Sequence, residues 1–432
     1  MMVIGGGNPD TILSESQVRK WMADALGPAE VDGLSVLIII PDGTRTAPVP
    51  LFFRNFCDLL SERVKSLDFL IALGTHKPMD AASQEQLLGI PLEQIKSTYR
   101  NVAVHNHQWA SAETFQNIGT IKASEVEDLV GDYLEGFDHD AGLIKDVPVR
   151  LNRKVLESDF VIICGPTFPH EVVGFSGGNK YFFPGVSGPE VIDYSHWLGA
   201  IITSYDVIGT KYTPVRQLID RAASLIDRPK LCFSLVQGHS GLHGLYIGTP
   251  EEAYAAAADL SAQVHIIWLE ERVERVLSVM PRMYEDLWTA AKGMYKVEPA
   301  VADGGEVIIY APHLSAVSYT HGELIEKIGY HVRDYFLEQW DTFQQFPGGI
   351  LAHSTHLRGL GHYDPVHKKE TPRIRVTLAS QIPREKCREL NLDYADPSTI
   401  DPVYWKGSND DWLVIPKAGE TLFRVSSNGS RS

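Results

Sequence analysis

Cysteine is scarce in this chain: four residues in 432 (Cys57, Cys164, Cys232 and Cys387), isolated from one another and never in a CxxC pair. That excludes a disulfide framework and a cysteine-ligated zinc site. Excess positive charge is also missing. The 39 Lys and Arg are outnumbered by 55 Asp and Glu, a net charge of −16. A phosphate backbone demands the opposite sign, so nucleic acid is not expected as the main partner. No apolar run approaches the ~20 residues of a spanning helix, so no membrane segment is expected. The opening MMVIGGGNPD has no charged n-region and no long apolar stretch, and is not expected to act as a signal peptide. A cytoplasmic protein is the expectation. Gly5-Gly6-Gly7 follows too few residues to follow a strand and lacks a spaced third glycine. Without that dinucleotide fingerprint, a dehydrogenase using freely diffusing NAD is disfavoured.

What the chain does contain is a packed-protein balance, 44% hydrophobic and 22% charged. Its length suggests two or three domains, or one large α/β enzyme. Short β-branched runs that end in Gly, Pro or Asp recur within 33–44 (GLSVLIIIPDGT), 68–76, 158–170, 230–238 and 305–313. They are continuous rather than alternating, which means burial on both faces and a largely parallel sheet under helices. Stretches between them, such as 48–66, carry apolar residues at helical spacing. The fold class is α/β, with two α/β domains and the active site in the cleft between them. The expected division is 1–275, completed by 408–432, and a smaller domain over 276–407.

Ligands of open α/β sheets bind beyond the carboxyl ends of the strands. Those ends read Asp42-Gly-Thr44-Arg45, Gly74-Thr-His76-Lys77 and Gly165-Pro-Thr-Phe-Pro-His170. Each alone is compatible with turn chemistry; together they deliver Arg or His three times. The segment Phe175-Ser176-Gly177-Gly178-Asn179-Lys180 is a glycine loop closed by a lysine. Its backbone can approach an anion closely, but the P-loop spacing is absent. Lys180 can act as a point charge or as a nucleophile towards a carbonyl. A helix is expected to start near Ser187-Gly-Pro-Glu190 and to carry His196, which read alone is equally a core histidine beside Trp197. In 283–296 a helical pattern places Trp288, Thr289 and Lys292 on one face, although a lysine snorkelling beside a tryptophan would look the same. The run 352–369 holds His353, His356, His362 and His367, without interleaved acidic or cysteine ligands. It reads as a polar strand end facing a cleft rather than as zinc ligands. The final SSNGSRS reads as a frayed tail.

Four blocks, DGTRTAPVP (42–50), ALGTHKPM (72–79), PHEVVGFSGGNKYFFPGVSGPEVIDYSH (169–196) and AAKGM (290–294), occur in order along the chain. Through them the chain resembles the nickel-pincer lactate racemase family, isomerases that racemise or epimerise 2-hydroxy acids. The resemblance implies a nickel-pincer nucleotide, a pyridinium mononucleotide whose two sulfur arms grip nickel, tethered to Lys180. It implies His196 as the protein's nickel ligand and His76 and His170 as the acid–base pair. Arg45 and Lys292 would hold the substrate carboxylate, with Trp288 and Thr289 beside it. Asp42, Thr44, Phe175, Ser176, Gly177, Gly178 and Trp340 would border the cofactor. Cofactor-biosynthesis proteins are then implied as transient partners, and a small 2-hydroxy acid as substrate. A non-catalytic anion-binding homologue is the alternative.

Two positions depart from the family pattern. Asn179 stands where FSGGRK has arginine, and Trp288-Thr289 replaces the Tyr-Gln pair of lactate-type members. Thr355, His356 and Arg358 are further expected pocket residues. Malate, an aromatic hydroxy acid and a sugar acid therefore stand beside lactate as candidates. The residue types suit the chemistry. A carboxylate stabilises an adjacent carbanion poorly, whereas moving hydride gives a neutral ketone and suits an electron-poor pyridinium. The hydroxyl proton must leave with the hydride and return on the other face, which asks for two bases, and histidine titrates near neutral pH.

Overall fold

The computed structural model describes residues 3–134, 141–408 and 412–426. The tail 427–432, expected to fray, lies outside the described residues. Two sheets organise the chain. The larger has seven strands in the spatial order Ile4–Gly7, Gly241–Gly248, Lys230–Gly238, Phe160–Pro166, Ser35–Pro41, Ser66–Ala72 and Val102–Asn106. All its pairings are parallel except those made by Gly241–Gly248.

The continuous apolar runs have a direct cause. In Ser35–Pro41, Leu37 and Ile39 enter one core while Val36, Ile38 and Ile40 enter another on the opposite face. Phe160–Pro166 divides alike, Val161 and Ile163 against Ile162 and Cys164. A period-2 strand buried on both faces must be apolar at every position. Helix Val49–Leu60 covers one face. Its Phe53 packs 4.7 Å from Phe69 and its Phe56 5.0 Å from Phe233, ring centre to ring centre.

The second sheet has five parallel strands, ordered Asp393–Tyr394, Arg375–Ser380, Val301–Ala311, Val273–Val279 and Trp412–Ile415. The C-terminal segment thus divides: Trp412–Ile415 joins this sheet, while Leu422–Val425 pairs with Ile266–Leu269. Among the described residues no helix is long and apolar enough to cross a membrane.

Three local readings change. Gly5–Gly7 belongs to a strand, Ile4–Gly7, and a Cβ on Gly5 would sit 2.1 Å from the Leu245 carbonyl oxygen. Gly5 and Gly7 serve close strand approach, whereas Gly6 has open space beside it. Residues 283–296 form two short turns, Leu287–Ala290 and Lys292–Tyr295, instead of one helix. The Asp286 carboxylate caps the first by accepting from the Thr289 N–H and hydroxyl. His353 and His356 lie on a helix, Gly348–Arg358, not at a strand end. That helix docks through its first turn: the Gly349 N–H donates to Asp193, and a Cβ on Gly348 would meet the Asp193 carbonyl at 2.4 Å. Packing, more than propensity, makes it helical. His362 and His367 fall on a hairpin of Gly361–Asp364 and Lys369–Pro372, where both side chains are exposed.

Candidate active site

The carboxyl ends of the larger sheet open into a cavity. Asp42, Arg45, His76, His170, Ser176, Gly177, Lys180, His196, Trp288, Thr289 and Lys292 all line it. Thr44, Phe175, Gly178 and Trp340 do not.

Asp42 follows Ser35–Pro41 and closes a tight turn, its Oδ1 accepting from the Thr44 N–H at 3.1 Å and hydroxyl at 2.6 Å. Thr44 therefore acts on Asp42, not on the cavity. The other oxygen, Oδ2, lies 2.5 Å from His76 Nδ1. Burial pushes the Asp42 carboxyl up, but the His76 charge and hydrogen bond, with Arg45 and Thr44, outweigh it. The result is a carboxyl held well below its usual range. An ionised Asp42 assigns the His76 proton to Nδ1 and leaves Nε2 as the basic nitrogen.

His170 has the opposite polarity. It is buried, and its Nδ1 lies 3.2 Å from the Val172 N–H and 3.3 Å from Glu171 Oε2. The two contacts demand different protonation of the same nitrogen. Burial, then the positive charges of Lys180, Arg45 and Lys296, push the ring well below its ordinary pKa. A neutral ring accepting the Val172 N–H is the consistent arrangement, so Nε2 carries the proton.

The glycine loop turns sharply. Gly177 has φ +92°, and a Cβ there would lie 2.2 Å from the Thr167 hydroxyl, so no other residue fits. A residue without a local sequence signal holds this loop. Arg216, on helix Pro214–Ala223, is 1% exposed and donates to the Phe175 and Gly177 carbonyls. Its guanidinium lies 3.9 Å from the Tyr254 ring centre. Asn179 turns away, donating to Asp220 and Glu251. Phe175 packs in a small core with Tyr254, and a Cβ on Gly178 would touch that same tyrosine. Arg216→Met should therefore lower stability by roughly 1–3 kcal/mol, since it strands the buried Phe175 carbonyl, while Gly177 keeps the Lys180 N–H. Chemical denaturation measures it.

Lys180 lines the cavity at the end of this loop. Burial, reinforced by the Arg45 charge, pulls its amine down to about 7. Lys292 is buried over the Tyr284 ring at 4.4 Å, its amine pushed well below the usual range by burial and then by Arg45. Arg45 Nη1 is buried without a hydrogen-bond partner. A buried guanidinium with an unused donor suits an anionic ligand.

His196 sits on helix Pro189–Ile202, started by Gly188 and a first-turn Pro189. Its Nδ1 donates to the Ile192 carbonyl at 2.7 Å, one turn back. Burial lowers the ring to about 4, so it is neutral with the lone pair on Nε2, the form a metal takes.

Trp340 stacks on Trp197 instead, ring centres 5.5 Å apart and planes within 5°. Trp340→Ala should cost about 1–3 kcal/mol of stability. It should leave any covalent load on Lys180 unchanged, which thermal melting and intact mass would read together. The aromatic wall of the cavity is Trp288, stacked 3.9 Å from His353, while His321 lies 4.6 Å from the indole and bonds the Thr75 hydroxyl. His356 and Glu171 also line the cavity, whereas Thr355 and His356 border a smaller neighbouring hollow. Arg358 lies outside both and within 3.5 Å of Glu370. Lys296 escaped the sequence reading, although it stands one turn beyond Lys292. It is fully buried and donates to the Pro169 carbonyl, the residue before His170.

Residues 21–128 and 142–208 match the lactate racemase N-terminal domain family. A curated lactate racemase from Thermoanaerobacterium thermosaccharolyticum is 21% identical over 308 residues, 69% of this chain. The match spans 65% of that relative's length, a little under two thirds. A solved structure of a Thermotoga maritima protein is 30% identical, with a TM-score of 0.87, over 98% of this chain and all of that one. The apoprotein structure of the Thermoanaerobacterium lactate racemase superposes with a TM-score of 0.70 at 18% identity, over 98% of this chain and 95% of its own.

Proposed function

From the match of its N-terminal part to the lactate racemase N-terminal domain, we propose that the chain is a lactate-racemase-like enzyme that racemises or epimerises a 2-hydroxy acid through a 2-keto acid. The carrying observation is that His76 and His170, on separate strand-end loops, border one cavity with Arg45 and Lys292. Arg45 and Lys292 hold the substrate carboxylate, the first as a charged fork and the second as a hydrogen-bond donor that regains its charge beside the bound anion. His76, oriented by Asp42, receives the hydroxyl proton on Nε2. His170 offers an Nε2 proton where the returning oxygen needs one. Exchange of that proton polarity between the rings permits the reverse direction.

The residues fit a nickel-pincer nucleotide. Lys180 is poised for covalent attachment because an amine near pKa 7 is largely unprotonated just above neutrality. His196 offers one neutral nitrogen to nickel. No group of three His, Cys, Asp or Glu among the described residues could hold a metal unaided, and one imidazole suffices where the cofactor brings the other donors. When bound, the group supplies a pyridinium that takes up a hydride and returns it. We assign the cofactor to residues 1–275 and the Trp288–Lys292 wall to residues 276–407, with cofactor-biosynthesis proteins as transient partners in the cytoplasm.

Deuterium on C2 tests this reading. With nickel-loaded, cofactor-bearing enzyme, the label should remain on carbon while configuration scrambles. Wash-out into water at the rate of racemisation would instead mean direct deprotonation.

A further inference from the structure

The acid–base pair and the carboxylate anchors account for chemistry at C2 but leave one wall of the cavity without a role. That wall is the helix Gly348–Arg358, whose His353 and His356 are 8% and 4% exposed and both line the cavity. His353 Nε2 lies 3.0 Å from the Trp288 carbonyl oxygen, which fixes its proton there and leaves Nδ1 as an acceptor. That Nδ1 is buried without a partner, and so is His356 Nε2. Buried polar atoms are rarely left so. Two on one wall of a ligand cavity call for ligand groups.

Those groups are neutral. Burial lowers His353 to about 3 and His356 to about 4, so both rings hydrogen-bond without charge at neutral pH. The Glu171 carboxylate faces His356, and Tyr295 bonds to it, so negative charge already stands on this side. A second substrate carboxylate would be repelled there. Trp288, stacked on His353 with planes within 3°, adds a fixed apolar surface. Hydroxyls, which both donate and accept, satisfy the imidazoles, and the intervening C–H groups pack on the indole. A methyl group in that place would leave both nitrogens unpaired.

We propose that the substrate is a polyhydroxylated 2-hydroxy acid of the aldonic class, its hydroxyls beyond C2 bound by His353 and His356 beside Trp288. This rests on the racemase reading and narrows it. The test offers D-gluconate, L-lactate and L-malate separately to the cofactor-loaded enzyme, following C2 configuration. The same three acids are titrated calorimetrically into the cofactor-free chain.

Gluconate should be turned over with a kcat/KM about 10²-fold or more above lactate, because a site built to bond hydroxyls rejects analogues that lack them. It should also bind the cofactor-free chain most tightly. His356→Phe should shrink that preference at least about tenfold, mainly through KM, and His356→Asn, which keeps a polar group, should restore part of it. Lactate or malate matching gluconate, or a preference unmoved in His356→Phe, overturns this inference and leaves the racemase reading standing. Unchanged C2 configuration in all three acids with loaded enzyme overturns this inference, and the same result with an aromatic 2-hydroxy acid overturns the racemase reading as well.

Discussion

Lys180→Met should leave the chain at its unmodified mass after exposure to the made cofactor, reduce racemisation to background, and raise thermal stability by a few degrees. The three effects share one cause. An ordinary lysine near 10.5 is almost wholly protonated at neutral pH. With the amine lowered to about 7, the unprotonated fraction rises about a thousandfold. The nucleophile is gained at a cost in stability, since burial disfavours the ammonium. The sign follows from proton counting. Between about pH 7 and 10.5 the unfolded chain binds more protons at Lys180 than the folded one, so stability rises with pH across that window. The methionine variant should show a shallower rise, read by denaturation at several pH values. Lys296, also drawn to about 7 by burial, keeps part of the slope. A variant that still gained cofactor mass would place the attachment elsewhere.

Strands were legible because burial on both faces writes itself as an unbroken apolar run, as in Ser35–Pro41. Strand-end residues were legible because α/β topology gathers whatever follows a parallel strand. That is how Asp42, His76 and His170 could be read together although they lie 34 and 94 residues apart in number. Residues that meet through packing alone were not. Trp340 follows a glutamine in the expected way, yet its partner is Trp197, a contact no local pattern encodes. Arg216 reaches the glycine loop from 39 residues away. The histidine-rich run hid a helix because its first turn is specified by Asp193 on another helix. Phe175 and Gly178 flank cavity residues but turn into the Tyr254 core, since neighbours on a tight loop face opposite ways.

His76→Ala and His170→Ala should each retain the Lys180-bound mass and the nickel, and each should lose roughly 10²–10⁴ in kcat, the usual worth of a positioned acid or base. The hydrogen bonds distinguish them. His76 is held by an ionised Asp42 at 2.5 Å, so Asp42→Asn should reproduce part of its loss. An amide oxygen can accept the Nδ1–H hydrogen bond but cannot stabilise the imidazolium formed when Nε2 takes the substrate's proton. His170 is held by the Val172 backbone N–H, a contact that only proline at 172 would remove. Its defect should therefore have no counterpart among the other single side-chain changes at that contact. Each ring serves the hydroxyl on one face of the ketone. With C2-deuterated acid of each hand, both variants should slow both directions, because every inversion passes a proton out at one histidine and in at the other. A variant that racemised at the unaltered rate would remove its histidine from the reaction. If both did, the chemistry would have to be assigned to other imidazoles on the cavity wall, such as His353 and His356, whose neutral rings each carry a buried nitrogen without a partner.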